Sequence, residues 1–109
     1  LIDGLHWDRS GGTVDDIRAL PTEVIHYSQI CDGPTPYDPS DAEMIEIARG
    51  ARLLPGDGGI NLRDMVNALP SDIILSIEIP QLERAKTVAP LIRAKEALER
   101  TKALIGANV

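Results

Sequence analysis

The chain has 109 residues, 43% of them hydrophobic and 26% charged, the balance of one small globular domain. A net charge of −6, a pI near 4.7 and an aromatic content of 3%, with no Lys/Arg run, argue against a nucleic-acid surface. No apolar stretch reaches the length of a membrane span. The single cysteine cannot form an internal disulfide, which sets a cytoplasmic location as the expectation.

In chain order, Leu1 to Leu5 reads as the end of a strand, and His6 to Gly12 as a loop. Thr13 caps a helix that runs to about Leu20, with Asp15 and Asp16 favouring its positive end. Pro21 and Thr22 turn the chain into a strand from Glu23 to Ile30, whose lack of strict alternation predicts a buried parallel strand. Three prolines and a glycine forbid regular structure between Cys31 and Pro39. Cys31, flanked by Ile30 and Asp32, reads as a buried structural thiol rather than a nucleophile. Ser40 or Asp41 caps a short helix through about Ala48, with an apolar stripe of Ala42, Ile45 and Ala48. A second loop spans Arg52 to Gly59, and Asn61 caps a helix from Leu62 to Leu69. Ser71 to Ile79 is the most apolar strand, and Pro80 ends it. Gln81 to Ala89 reads as irregular or partly helical. Pro90 then opens a long helix through about Ile105, closed by Gly106. The order β-α-β-α-α-β-α predicts an α/β fold of parallel strands with right-handed crossovers.

Two segments, Asp15–Ile30 and Asp64–Ile79, align without a gap and share Ala-Leu-Pro followed by a hydroxyl residue and an acid. The alignment places Gln29 and Glu78 at equivalent positions near two strand ends. A repeated helix–strand unit with polar residues at the carboxyl ends of its strands is the building block of a (β/α) barrel site. The residues at those ends are Asp3, His6 and Arg9, then Gln29 and Asp32, then Arg52, then Glu78. Asp3, Gln29 and Glu78 offer hard oxygen ligands, which suit Mg²⁺ or Mn²⁺ better than Zn²⁺. Each residue also has a plainer reading. Asp3 could be a turn or cap residue, His6 a surface residue beside a helix, and Arg52 a salt-bridge partner. Glu78, between Ile77 and Ile79, must face a cation, an arginine or water.

These residues resemble the xylose isomerase-like barrel superfamily, specifically its sugar phosphate isomerase/epimerase family. The carrying elements are Asp3-Gly4-Leu5-His6, Gln29-Ile30-Cys31-Asp32, the Arg-x-x-Pro-Gly-x-Gly loop Arg52 to Gly58, and Ser76-Ile77-Glu78. The resemblance implies the last three βα units of a TIM (β/α)8 barrel, so that residues 1–109 form a partial barrel domain with its upstream part missing. A start inside a strand, without Met or a signal-peptide pattern, agrees with the C-terminal part of a longer chain. Three strands cannot close a barrel, so a homo-oligomer or the remainder of its own barrel is expected to cover the open edges.

The resemblance further implies a metal held by Asp3, Gln29 and Glu78, a substrate held by His6, Arg52 and Arg9, and catalysis by Glu78 and His6. The expected activity is a divalent-metal-dependent sugar isomerase or epimerase that abstracts a proton next to a carbonyl of a small polyhydroxy substrate. Three departures bear on this. The family's fourth ligand, a Glu from an earlier strand, is absent from the chain. Gln29 stands where ketose epimerases carry His, which resembles the 3-dehydroshikimate dehydratases and makes a metal-dependent lyase the runner-up. The Pro34–Pro39 insertion lengthens the loop over the site. An inactive barrel fragment or folding module is a further alternative, as is a small-ligand binding module without chemistry.

Overall fold

The computed structural model describes residues 1–106. Three parallel strands, β1 (Ile2–Asp3), β2 (Tyr27–Ile30) and β3 (Ile74–Ile77), lie side by side in sequence order. The register pairs Asp3 with Gln29, Gln29 with Ser76, and Ile30 with Ile77. Helices α1 (Gly4–Arg9), α2 (Val14–Arg18), α3 (Asp41–Gly50) and α4 (Leu62–Ala68) occupy the connections, and α5 (Leu82–Ala85) and α6 (Pro90–Ile105) follow β3. The α/β class and the parallel order are as the sequence predicts.

Side chains alternate across a strand, so each strand presents two faces. Ile2, Ser28, Ile30, Leu75 and Ile77 point one way. Ile30 joins Ile17, Ile25, Leu62, Met65 and Leu69 in the buried core, and Ile2, Leu75 and Ile79 pack against it. Asp3, Tyr27, Gln29, Ile74, Ser76 and Glu78 point the other way, and no helix among the described residues covers that face. Ile74 is 71% exposed and Tyr27 37%. The expectation of a buried second strand is therefore corrected in part: β2 is buried on its helix side only.

The first connection differs from its reading as a loop. β1 stops at Asp3 because the Asp3 carboxylate accepts the His6 N–H at 3.0 Å, which caps α1 at once. Pro21 likewise shortens the second strand. Residues Thr22–Val24 form a 3-10 turn before the chain extends. The apolar stripe of α3 is also corrected. Met44, Ile47 and Ala48 are the half-buried positions, whereas Ala42 is exposed and Ile45 is 50% exposed. α6 runs from Pro90 to Ile105, and Gly106 closes it in the left-handed conformation at φ 71°.

Candidate functional site at the strand ends

Asp3 is nearly buried, and both of its oxygens are engaged. Oδ1 accepts the His6 N–H, and Oδ2 accepts Nη1 of Arg52 at 2.7 Å. Arg52 is itself buried. Its Nε donates to the Ala48 carbonyl at 2.8 Å, its Nη1 lies 3.5 Å from Cys31 Sγ, and its own carbonyl accepts Gln81 Nε2 at 2.9 Å. The side chain of this one residue thus ties β1, the end of α3 and the exit of β2 together, and its backbone carbonyl adds Gln81 beyond β3. Burial opposes the charge on Arg52, yet its hydrogen bond to Asp3 and the nearby Cys31 outweigh it, and its pKa is raised. Burial pushes the Cys31 thiol up, and the Asp3 charge pushes it further against the pull of Arg52. Cys31 is fully buried and held as a thiol at neutral pH.

Asp32 organises the loop behind this pair. Its Oδ1 accepts the N–H groups of Gly33 (2.8 Å) and Ile60 (3.1 Å), and its Oδ2 those of Gly56 (3.0 Å) and Gly58 (3.1 Å). Asp32 and Leu53 also exchange backbone hydrogen bonds at 2.8 and 2.9 Å. A Cβ at Gly58 would stand 2.1 Å from the Gly33 carbonyl oxygen, so only glycine allows this approach. The Pro-Gly-x-Gly motif is therefore a backbone cradle closed on one carboxylate, and it sets where Arg52 begins. Sequence reading placed Asp32 at the strand ends without this role. The signal for it was the spacing of Asp32-Gly33 against the glycines at 56, 58 and 59.

Gln29 and Glu78 lie on the helix-free face. Gln29 is half-buried and Glu78 exposed. Neither side chain has a hydrogen-bond or ion-pair partner among the described residues. The internal repeat makes them equivalent, but the sheet pairs Gln29 with Ser76, and the Glu78 N–H reaches the Ile30 carbonyl at 3.0 Å. The offset is two residues, about 6.6 Å along the strand. An even offset keeps both residues on the same face. Asp3, Gln29 and Glu78 therefore share one face at the carboxyl ends of three adjacent strands. Of the three, Asp3 is held to Arg52, while the other two stand free of it. Among the described residues, no three His, Cys, Asp or Glu side chains gather closely enough to hold a metal. The donor types nonetheless fit a hard cation: two carboxylates and an amide oxygen.

His6 and Arg9 meet in a cavity of about 330 Å³ between α1, the proline-rich loop and α3. His6 is exposed at its edge. Arg9 donates Nη1 to Asp8 at 2.5 Å and Nη2 to the Pro34 carbonyl at 2.8 Å, and its guanidinium lies 3.8 Å from the centre of the Tyr37 ring.

No family model matches the sequence, and no curated protein matches it significantly. Solved structures do. A crystal structure of the IolI protein with a bound zinc atom overlays 99% of the chain with a TM-score of 0.76 at 19% identity. A xylose isomerase domain protein from Alicyclobacillus acidocaldarius subsp. acidocaldarius overlays 98% of it with a TM-score of 0.68 at 31% identity. The chain folds as part of a xylose isomerase-like barrel. It spans 37% of the length of each of these two structures. In such a barrel the carboxyl ends of the strands carry the active site, which is where Asp3, Gln29 and Glu78 stand. The helix-free face of the sheet is the barrel's inner face.

Proposed function

We propose that the protein is a divalent-metal-dependent sugar isomerase or epimerase that works by removing a proton next to a carbonyl. The observation that carries the reading is the placement of Asp3, Gln29 and Glu78 on one face at one end of three parallel strands. Asp3, Gln29 and Glu78 would hold the metal, with the remaining ligand supplied from outside residues 1–109. A bound divalent cation stabilises the negative charge that develops on a carbonyl oxygen when the neighbouring proton leaves. Mn²⁺ and Mg²⁺ suit the oxygen donors, and the zinc atom of the IolI structure adds Zn²⁺ to the ions to be tried.

Glu78, exposed and unpaired, is the carboxylate free to accept the proton. His6, on the first turn after Asp3, orients substrate oxygens from the cavity edge. Arg52 holds and aims the Asp3 carboxylate, and the rest of its guanidinium would take a hydroxyl or carboxylate of the substrate. Arg9, committed to Asp8 and Pro34, acts on substrate only by shaping the wall. Gln29 in place of His is the feature that favours a lyase of the dehydratase type as second reading, since loss of a neighbouring hydroxyl follows the same proton removal.

The test is solvent-deuterium exchange at the carbon beside the carbonyl, followed by NMR across a panel of aldoses and ketoses with Mn²⁺, Mg²⁺ or Zn²⁺. Metal-dependent exchange that Glu78→Gln abolishes supports the proposal. Exchange that persists in that variant, or that ignores metal, removes it.

A further inference from the structure

The cavity beside His6 has an unusual balance of chemistry for a sugar phosphate site. Its walls are Leu5, Pro34, Tyr37, Met44, Ile47 and Ala48, all apolar or aromatic. Its rim carries Asp38, Asp41 and Glu43. Asp38 accepts the Ser40 N–H, while the carboxylates of Asp41 and Glu43 meet no cation among the described residues. The one arginine in the lining, Arg9, is already paired with Asp8 and stacked on Tyr37, so its charge is spent within the fold. The N-terminus of α3 does not redress the balance. Ser40 Oγ caps it, and Asp41 and Glu43 sit in its first turn.

We infer that this cavity binds an apolar substituent, such as an aromatic ring, on an uncharged sugar-like ligand, and that it rejects phosphorylated sugars. The inference rests on the strand ends being the reacting centre. The cavity opens beside His6, whose N–H is bound to Asp3, so a ligand reaching Asp3 and Glu78 with its carbonyl end would lay its far end against α3. The volume is about twice that of an engineered apolar cavity that takes benzene, enough for a ring and part of a sugar. A phosphate dianion there would face three carboxylates, with no unpaired arginine or lysine in the lining to offset them.

Binding to the metal-free protein decides it, read by backbone amide NMR shifts with 6-O-benzyl-D-glucose, 6-O-methyl-D-glucose and glucose 6-phosphate as probes, which keep a free carbonyl end and differ only at the far end. The benzyl ether is expected to shift amides of α1 and α3 and to bind roughly tenfold or more tightly than either other probe. Ala48→Phe, which fills the cavity, should abolish that binding. The double substitution Asp41→Lys with Glu43→Lys should raise glucose 6-phosphate affinity, and it stands as an independent arm if the filled variant does not fold. Equal or tighter binding of glucose 6-phosphate by the parent, or no benzyl ether shifts on α1 and α3, overturns the inference. Because no turnover is measured, the two readings fail separately. Benzyl ether binding without metal-dependent exchange removes the proposed chemistry alone, and exchange confined to sugar phosphates removes the cavity assignment alone.

Discussion

The two ends of the site are built differently. Around β1 and β2, Asp3, Arg52, Cys31 and Asp32 are all buried, and every buried polar side-chain atom among the described residues has a partner. At the end of β3, Glu78 is exposed and its carboxylate has no hydrogen-bond or ion-pair partner among the described residues. The saturated end sets positions, because a buried carboxylate is satisfied only in the geometry that meets its partners. The open end keeps a carboxylate whose charge costs little in water and is free for a cation or a proton. A site that must bind and react needs both, a rigid frame and at least one uncommitted group.

If the Asp32 cradle is the frame, removing it should have the largest effect. Asp32→Ala leaves the N–H groups of Gly33, Gly56, Gly58 and Ile60 without their acceptor. The expected loss is about 4 kcal/mol or more, allowing water to reach part of the loop. Urea denaturation would measure it. A loss under about 1 kcal/mol would show that the loop is held by its bridge to Leu53 instead.

Next in size is the buried pair. Arg52→Met strands the Asp3 carboxylate and should cost about 3 kcal/mol, whereas adding Asp3→Asn to it should recover most of that. Additive losses in the double variant would mean that the pair is not coupled.

The pH dependence separates the ends further. The Cys31 pKa is raised in the folded state above its ordinary value of 9.0, so the folded protein favours the thiol. Its contribution to stability is complete below pH 9 and is lost as pH rises through the folded value. Melting temperature should therefore fall more steeply above pH 9 in the parent than in Cys31→Ala, and the thiol should resist alkylation at pH 7. Rapid labelling of the native protein would contradict the burial.

A smaller effect is expected at the cavity wall. Tyr37→Leu removes the ring beneath Arg9 and should cost about 0.5–1 kcal/mol. Glu78→Gln, at the open end, should change stability by no more than about 0.5 kcal/mol.

Much of the fold was legible because its signals are local. Pro90 and Gly106 bracket α6, Thr13 and Asn61 cap α2 and α4, and the apolar runs mark β2 and β3. The short helix α1 was not, because Asp-x-x-His is at once a ligand spacing and a cap spacing, and only the observed hydrogen bond to His6 tells them apart. The identities of the site residues were legible, but their states were not. That Arg52 is committed to Asp3 depends on residues 49 positions apart, and that Arg9 is stacked depends on how the proline-rich loop folds back. Such contacts leave no periodic trace in the sequence.

The proposed role of the uncommitted carboxylate is tested most directly by Mn²⁺ binding to the full-length protein, followed by electron paramagnetic resonance, in the parent and in Glu78→Gln. The account predicts saturable binding of one Mn²⁺ in the parent and an affinity at least about tenfold lower in the variant, with melting temperatures of the metal-free forms within a degree or two. Equal Mn²⁺ affinity in the two proteins would contradict it and leave Glu78 a solvent-facing residue at the end of a strand.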